Sequence, residues 1–570
     1  MNRFDGQLWH QFLRLAKPYW YSEEKWKARG LLAILLLLLL LVSGINVTIS
    51  YVNRDYMTAL SNKDSSKYFH LLFVYGGVFA IATPIVVFYR YVRKQLGLYW
   101  REWLTNYFLD RYFRNRAYYQ IHENRNIDNP DQRISEDIRS FTQESLEYLL
   151  ILLNAGIDLI AFIGILWSIS IPLVSVLVIY AAVGTGMTLW FGKRLIGLNF
   201  NQLRREANFR YGLVRIRDNA ESIAFYQGEQ QESNQVKRQL MGVISNFNLL
   251  IGWERNLDFF TTGYRYLVVI VPSLIVAPLY FSGHVEFGVI TQAIFAFRQV
   301  LDALSVIVDE FDKLSVFAAG INRLEGITEV LEKSNPIRQI ETPCIDMTTG
   351  TYLALKHLTL QIPNSNKILV RDLSVTVQPG EGLLIVGSSG AGKSSLMRAI
   401  AGLWDSGTGY LIRPNLEEML FLPQRPYMIL GSLRTQLLYP STDRNVGDKE
   451  LKKVLRQVNL TYLLDRVNGF DAELDWGDML SVGEQQRLAF ARLLLSSPRY
   501  AFLDEATSAL DIQNEQSLYG HLQATNTTFI SVGHRASLLK YHHHVLELKG
   551  EGDWQLVPVE AYAAGASSLV

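Results

Sequence analysis

One stretch decides what this chain can become: residues 31–52 carry no charge, and residues 35–41 are all leucine. A helix rises about 1.5 Å per residue, so about 20 apolar residues cross the roughly 30 Å hydrocarbon core of a bilayer. Inside lipid the backbone N–H and C=O groups find no water and must bond within the segment, so an isolated run of this kind has to be helical. Five further stretches approach that length: 68–88, 149–168, 173–191, 259–281 and 287–308. The last is the least apolar, because it contains Arg298 and Asp302. Six crossings are therefore expected.

The connections alternate in length. Residues 53–67, 169–172 and 282–286 are short, whereas 89–148 and 192–258 are long and polar. Each long connection holds about ten Lys or Arg, while the short ones together hold only Arg54, Lys63 and Lys67. The positive-inside rule puts both long connections, the N-terminus and the C-terminal half on the cytoplasmic side. No Pro or Gly interrupts 99–115 or 201–211, so helices are expected to continue past the bilayer there. Residues 4–26 mix Trp9, Phe12, Leu13, Leu15, Trp20 and Tyr21 with Lys and Arg. They suit an amphipathic helix at the membrane interface better than a flexible tail. The expected plan is an elbow at 1–28, a membrane domain at 29–335 and a soluble domain at 336–570. No cleavable leader is expected, since the first apolar run starts some thirty residues in and is too long for one.

Polar groups inside the spans carry further information. Asn154 and Asp158 lie one helical turn apart in the third span. In the sixth, Gln292, Gln299, Asp302 and Asp309 fall near one face, and Arg298 precedes Asp302 by the spacing of a helical ion pair. Such groups face a bundle interior or a water-filled cavity. A hydrophilic translocation cavity, interhelix hydrogen bonding and a helix half outside the bilayer all fit at this point.

The second half reads as a soluble α/β domain. The net charge of +1 gives no bulk electrostatic reason to bind nucleic acid, and none is expected as a partner. The single cysteine, Cys344, excludes an internal disulfide and a Cys-based zinc site. Adjacent His542, His543 and His544 point apart and are expected in a surface turn, not around a metal.

The apolar run Leu383, Leu384, Ile385 and Val386 leads into Gly387-Ser388-Ser389-Gly390-Ala391-Gly392-Lys393-Ser394. This is the pattern G-x-x-x-x-G-K-[ST]. Its glycines let backbone N–H groups wrap phosphates, Lys393 reaches the β and γ oxygens, and Ser394 is a ligand for Mg²⁺. A helix is expected from about Ser394 to Leu403, with Ser395 in its first turn, adding its N-terminal dipole. Further on, residues 499–505 read as an apolar strand ending in two carboxylates. Asp504 suits Mg²⁺, and Glu505 is placed to act as general base toward an attacking water. Gln424, after the apolar 419–422, can bridge Mg²⁺, water and the membrane half. His534, after 528–532, can contact the γ-phosphate.

Leu480-Ser481-Val482-Gly483-Glu484-Gln485-Gln486-Arg487 resembles the LSGGQ signature of ATP-binding cassette proteins, and Ser508-Ala509-Leu510-Asp511 resembles their D-loop. The resemblance implies ATP and Mg²⁺ as cofactors and a composite site, in which Ser481, Gly483 and Glu484 of one copy cover the phosphate held by the other. It also implies a fold: a six-span helical domain of exporter (type IV) type fused to an α/β P-loop cassette, working as a homodimer in the lipid bilayer. Two departures stand out. Val482 and Glu484 replace the first central glycine and the final glutamine. Ile362 and Pro363 stand where many relatives have a tyrosine that stacks on adenine.

Finer motifs lie in the long connections. Trp100-Arg101-Glu102-Trp103-Leu104-Thr105, Tyr118-Tyr119, and Asn129-Pro130-Asp131-Gln132-Arg133 with Asp137 look like SbmA/BacA-type proteins and the related subfamily D acyl-CoA transporters. Asn219-Ala220-Glu221-Ser222-Ile223-Ala224-Phe225-Tyr226 resembles their EAA-like coupling segment. Leu15-Ala16-Lys17-Pro18-Tyr19-Trp20 and Asp475-Trp476-Gly477-Asp478 fit the same group. What this resemblance implies is ATP-driven transport at a bacterial inner membrane, with uptake of hydrophilic solutes such as cobalamin or peptides. A fatty acyl-CoA or lipid transporter and a membrane-bound regulatory ATPase without transport remain as alternatives.

Overall fold

The computed structural model describes residues 6–123, 127, 129–309, 311–333, 344–363, 365 and 367–567. The chain divides into two compact units, Met1–Ile337 and Arg338–Val570. Every regular element described in the first unit is helical, and the longer ones are α1 (Gly6–Trp20), α2 (Lys25–Ser61), α3 (Ser65–Phe113), α4 (Ile138–Ile169), α5 (Ile171–Asp218), α6 (Glu229–Phe281), α7 (Phe287–Asp309) and α8 (Phe311–Lys333). Among the described residues six helical stretches, those of α2 through α7, are long and apolar enough to cross a membrane, the last of them the least apolar. The apolar runs thus form parts of longer helices, as the uninterrupted polar stretches predict for 201–211. The stretch 99–115 departs slightly. Its helix stops at Phe113, and Asn115 takes a left-handed conformation at φ 51°.

Within this unit α2 pairs with α3, α5 pairs with α6, and α7 lies against α4, α2 and α6. Lipid removes the hydrophobic drive between spans, so close packing and polar contacts must hold them. Gly288 supplies the first. A Cβ there would sit 1.8 Å from the Arg54 carbonyl oxygen of α2, and the Gly288 N–H donates to Thr58 Oγ1 at 3.1 Å. Asp158 supplies the second. It accepts from Ser43 Oγ at 2.6 Å and from Asn154 Nδ2 at 2.8 Å. Of the readings open for Asp158, interhelix bonding is therefore realised.

The elbow α1 buries Leu8, Leu15, Ala16 and Tyr19 and exposes Trp9 and Leu13, and Tyr21 just beyond it is exposed too. Tyr19 stacks on Trp100 at 5.7 Å between ring centroids. Charged groups fasten the last helix. Arg14 of α1 pairs with Glu325 and Glu332 of α8. Just before α4, a turn of π-helix at Arg133–Asp137 offers Asp137, which accepts from Arg323 Nε and Nη2 at 2.7 and 2.5 Å. Arg133 donates to the Arg323 carbonyl at 2.7 Å. The Asn129–Asp137 motif therefore serves the architecture by gripping α8. Between α5 and α6 a short helix, Ala220–Tyr226, leaves Phe225 and Tyr226 exposed.

The second unit holds two sheets. β1 (Asp346–Thr349), β5 (Gly407–Arg413), β2 (Leu353–Gln361) and β3 (Ile368–Val377) lie in that order. β10 (Asp553–Pro558), β9 (His544–Gly550), β4 (Leu383–Gly387), β8 (Thr528–Val532), β7 (Tyr500–Asp504) and β6 (Met419–Leu422) form the larger sheet, parallel except for β10. Strands β4, β7 and β8 are apolar on both faces and almost wholly buried, as strands of a covered parallel sheet must be. Three helices position the site: α9 (Lys393–Ile400), α10 (Val482–Ser496) and α11 (Ile512–Gln523). The helix after the phosphate loop is thus one residue earlier at its start and three shorter at its end than the sequence suggests.

His542 corrects the sequence reading. It is buried, not in a surface turn, and bonds Leu538 O at 2.8 Å and Ser531 Oγ at 2.9 Å. Burial pushes its imidazole down to about 4, so it packs as a neutral core residue.

Gly288→Ala tests the helix crossing. The added methyl forces α2 and α7 apart, which overpacking data put at about 1–3 kcal/mol. A lower Tm for the detergent-solubilised protein is the expected outcome.

Candidate active site

The ends of four parallel strands meet one loop face. β4 sits between β8 and β9, and its C-terminal edge opens into the phosphate loop, the usual position for ligands in such sheets. Gly387 takes φ 144°. A Cβ there would lie 2.3 Å from the Leu548 carbonyl oxygen on β9, so only glycine fits the exit. Ser388, Ser389 and Gly390 are exposed, while Ala391, Gly392 and Lys393 are buried. Lys393 Nζ donates to Gly387 O at 2.7 Å and Ser388 O at 3.0 Å. The ammonium is thus held over the mouth of its own loop. Ser394 and Ser395 begin α9 beside it.

β7 delivers the carboxylates. Ser394 Oγ lies 3.4 Å from Asp504 Oδ1. Burial pushes the Asp504 carboxyl above its usual range; Ser394 opposes this, and the neighbouring Glu505 charge adds to it. A hydroxyl and a carboxylate are hard oxygen donors, and Mg²⁺ takes few such protein ligands and completes its shell with water and phosphate. Among the described residues no group of three or more His, Cys, Asp or Glu could hold a metal. The donor set therefore fits Mg²⁺ bound together with a nucleotide.

Glu505 has the most constrained geometry. Its φ is +48°, a conformation that costs a non-glycine residue about 1–2 kcal/mol. Its N–H nevertheless extends the sheet by donating to Val532 O at 3.0 Å. Gln424 Nε2, beyond β6, donates to Glu505 Oε2 at 2.8 Å. His534 Nε2, beyond β8, lies 3.6 Å from Glu505 Oε1. Three residues picked from separate strand ends are thus brought together.

The signature segment is built differently from its sequence appearance. Ser481 caps α10, and its Oγ accepts from the Glu484 N–H at 3.3 Å, while Glu484 Oε2 accepts from Ser481 N at 2.8 Å and Ser481 Oγ at 2.9 Å. This reciprocal capping box satisfies two otherwise orphan donors. Glu484 Oε1 also accepts from Tyr462 OH at 2.7 Å and Arg466 Nη1 at 3.2 Å. Val482 is half exposed, so a side chain costs nothing there. At Gly483 a Cβ would lie 3.1 Å from the Ala509 carbonyl oxygen, so the second glycine has a steric reason and the first has none. Among the described residues no hydrogen bond or ion pair joins Ser481, Gly483 or Glu484 to the phosphate loop. Ile362 packs against the core of this unit instead of presenting a ring.

With this geometry in view, comparison with known proteins is decisive. Residues 15–281 match ABC transporter transmembrane region 2, and residues 370–508 match the ABC transporter domain. An uncharacterized ABC transporter ATP-binding protein of Synechocystis sp. is 51% identical over 94% of this chain and 83% of its own. This chain belongs to the ABC transporters. ABC transporter D family member 2, chloroplastic, of Arabidopsis thaliana is 41% identical over 97% of this chain and 89% of its own. The lysosomal cobalamin transporter of Homo sapiens is 31% identical over 98% and 97%. In fold, a bacterial Atm1-family ABC exporter with ATP bound matches with a TM-score of 0.73, covering 94% of this chain and 96% of the exporter at 17% identity. The ABC half-transporter is thus related to subfamily D, has the exporter fold, and is a multi-pass membrane protein with a cytoplasmic cassette. It is an ATPase coupled to transport.

Two residues lie outside every motif. Glu515 and Arg535 join the loops around the site, and only contact reveals them. The capping box was readable, because Ser-x-x-Glu before an apolar helix is its ordinary sign; the LSGGQ pattern overlies it.

Glu484 generates a pH prediction. Burial alone would raise its carboxyl, but Tyr462, Ser481 and Arg466 together hold it below its ordinary value of 4.5. Its stabilisation is complete above 4.5 and is lost as pH falls through the lowered folded value. Glu484→Gln is expected to cost about 1 kcal/mol at neutral pH. The difference in Tm from the parent narrows to nothing as the solution is acidified below that value.

Proposed function

We propose that this ABC half-transporter works as a homodimer in a bacterial inner membrane and takes up hydrophilic solutes, such as cobalamin or peptides, in the manner of SbmA/BacA-type proteins. The observation that carries the hydrolytic part is the Glu505 carboxylate held between Gln424 and His534 beside Asp504. In this reading the loop N–H groups of Gly387–Gly392 bind phosphate, and Lys393 exchanges its two carbonyl partners for β and γ oxygens. Ser394 and Asp504, with Gln424, would hold Mg²⁺, which would supply charge neutralisation on the phosphates. Glu505 takes a proton from water, the water oxygen bonds to the γ-phosphorus, and the β–γ bridging bond breaks to give ADP and phosphate. His534 orients the γ-phosphate. Ser481 and Gly483 of the second copy cover it, with N–H groups at a helix N-terminus suited to an anion, and Glu484 holds that cover in place.

Two cavities of the membrane unit support a polar solute. One of about 380 Å³ is lined by Asn46, Arg90, Arg93, Asn154 and Gln299 among others. One of about 510 Å³ includes Thr185, Thr261, Arg265 and Arg298. Asp302 lines both and lies 3.9 Å from Arg298. The likeness to a lysosomal cobalamin transporter points the same way. A second reading, a fatty acyl-CoA or lipid substrate, draws on Arg90, Arg93 and Arg265: they line these cavities, and no hydrogen bond or ion pair engages them among the described residues. Its acidic phosphates would suit them.

Reconstituted vesicles decide between these readings. ATP-driven accumulation of cobalamin or peptide supports the first, accumulation of acyl-CoA the second, and accumulation of none of these solutes removes both. Glu505→Gln is expected to lower phosphate release by about 10²–10⁴-fold while nucleotide stays bound. Unchanged release by that variant would remove Glu505 from the role of base. Lys393→Ala is expected to abolish turnover in the same assay.

A further inference from the structure

We propose that the turn between α1 and α2 docks the phosphate headgroup of an anionic phospholipid, and that occupation of this site raises the ATPase rate through α8. The turn gathers cations in excess. Residues 15–30 hold Lys17, Lys25, Lys27 and Arg29 against Glu23 and Glu24. Glu24 is engaged by Lys27 at 3.7 Å, and among the described residues no ion pair engages Lys17, Lys25 or Arg29. Two of these cations meet at one ring. Lys17 Nζ lies 5.7 Å and the Arg29 guanidinium carbon 5.2 Å from the Tyr21 ring centroid. Arg29 also reaches the Trp26 ring, at 5.9 Å. Both rings are open to the surroundings, Tyr21 at 67% and Trp26 at 75% exposed. Arg29 Nη2 donates to the Trp20 carbonyl at 3.0 Å. This bond orients the guanidinium and leaves its remaining N–H groups for another acceptor.

Depth and side select the occupant. The charge-free run begins at Leu31, two residues after Arg29. Arg29 therefore lies about 3 Å along the helix from the hydrocarbon segment, at headgroup level. Exposed Tyr and Trp prefer the same layer. Six spans lie between this turn and the cassette, and an even number returns the chain to the side it left. The turn thus faces the cytoplasmic leaflet, which is the anionic one. A lipid phosphate is the acceptor found at that depth, and a guanidinium grips phosphate through two parallel N–H bonds.

The opposite face of the elbow connects this turn to α8. Leu15, Ala16 and Tyr19 share one buried cluster with Trp100, Leu104 and Phe317. Phe12 meets Phe317 of α8 at 6.4 Å between ring centroids. Arg14, one helical turn before Lys17, pairs with Glu325 and Glu332 of α8. α8 ends at Lys333, and the second unit begins at Arg338. A headgroup that holds Lys17 and Arg29 therefore holds α1 in place on the helix by which the chain leaves the membrane unit.

Two readouts on the full-length protein test this. Tm is measured in neutral detergent during titration with short-chain phosphatidylglycerol or phosphatidylcholine, and phosphate release is measured in vesicles of phosphatidylcholine with and without phosphatidylglycerol. For the parent, phosphatidylglycerol is expected to raise Tm by a few degrees, as a ligand of the folded state does, and to raise the rate at least about twofold. Phosphatidylcholine does neither. In the double variant Lys17→Gln/Arg29→Gln both gains disappear, with Tm in phosphatidylcholine equal to that of the parent. Arg29→Lys, which keeps the charge, retains most of the gain, and so does Lys67→Gln on the outer side of the membrane. A full response in the double variant, an equal loss in Lys67→Gln, or a parent indifferent to phosphatidylglycerol overturns the site. An equal Tm rise with inorganic phosphate or a short acidic peptide overturns the lipid as its occupant. A Tm rise without a change in rate overturns the connection through α8.

Discussion

The hydrogen bond from Gln424 Nε2 to Glu505 Oε2 is the contact on which the rest of the cassette depends. It joins the end of one strand to the end of its neighbour across a gap that no backbone bond closes. Glu505 could not keep its left-handed backbone conformation without surroundings that over-determine it. Those surroundings are the Val532 carbonyl, which extends the ladder, and the two side chains that hold the carboxylate from either side. Strain of this kind costs stability, and it is concentrated at a carboxylate held between Gln424 and His534.

The membrane unit solves a different problem with different means. In lipid a leucine gains nothing by leaving lipid for protein, so the spans cannot be held by greasiness alone. Gly288 lets α7 approach the α2 backbone directly, and Asp158 uses both of its oxygens on Ser43 and Asn154. At the cytoplasmic end the strategy changes to charge, as Arg14, Arg133, Asp137, Arg323, Glu325 and Glu332 bind α8 to the elbow and to the π-helical turn.

Much of this was legible in the sequence because the signals were period and adjacency. Charge-free runs mark the spans, the glycine-lysine loop marks the phosphate cradle, and apolar strands ending in Asp504-Glu505, Gln424 and His534 mark the site. What was not legible depends on partners distant in the chain. His542 reads as polar and exposed, yet Ser531 and the Leu538 carbonyl satisfy it inside the core. Val482 reads as a defect, yet its side chain faces solvent, while the glycine beside it is fixed by the Ala509 carbonyl. Glu484 reads as a substituted glutamine, yet Tyr462 and Arg466 make it the anchor of a helix start. Gln486 stands inside the signature segment, yet nothing in that segment tells that its amide bonds the Gln424 carbonyl on one loop and Ser508 and Ala509 on another.

The capping box at Ser481 has one more implication. The hydroxyl is engaged twice, as acceptor from Glu484 N–H and as donor to the Glu484 carboxylate. The Ser481 backbone N–H holds that same carboxylate independently. In the composite site proposed above, lending the hydroxyl proton to an incoming phosphate leaves the amide to keep the turn closed, and the helix end stays fastened throughout. A fastening with a spare strand is what a surface needs if it must grip and release an anion in every cycle without unravelling.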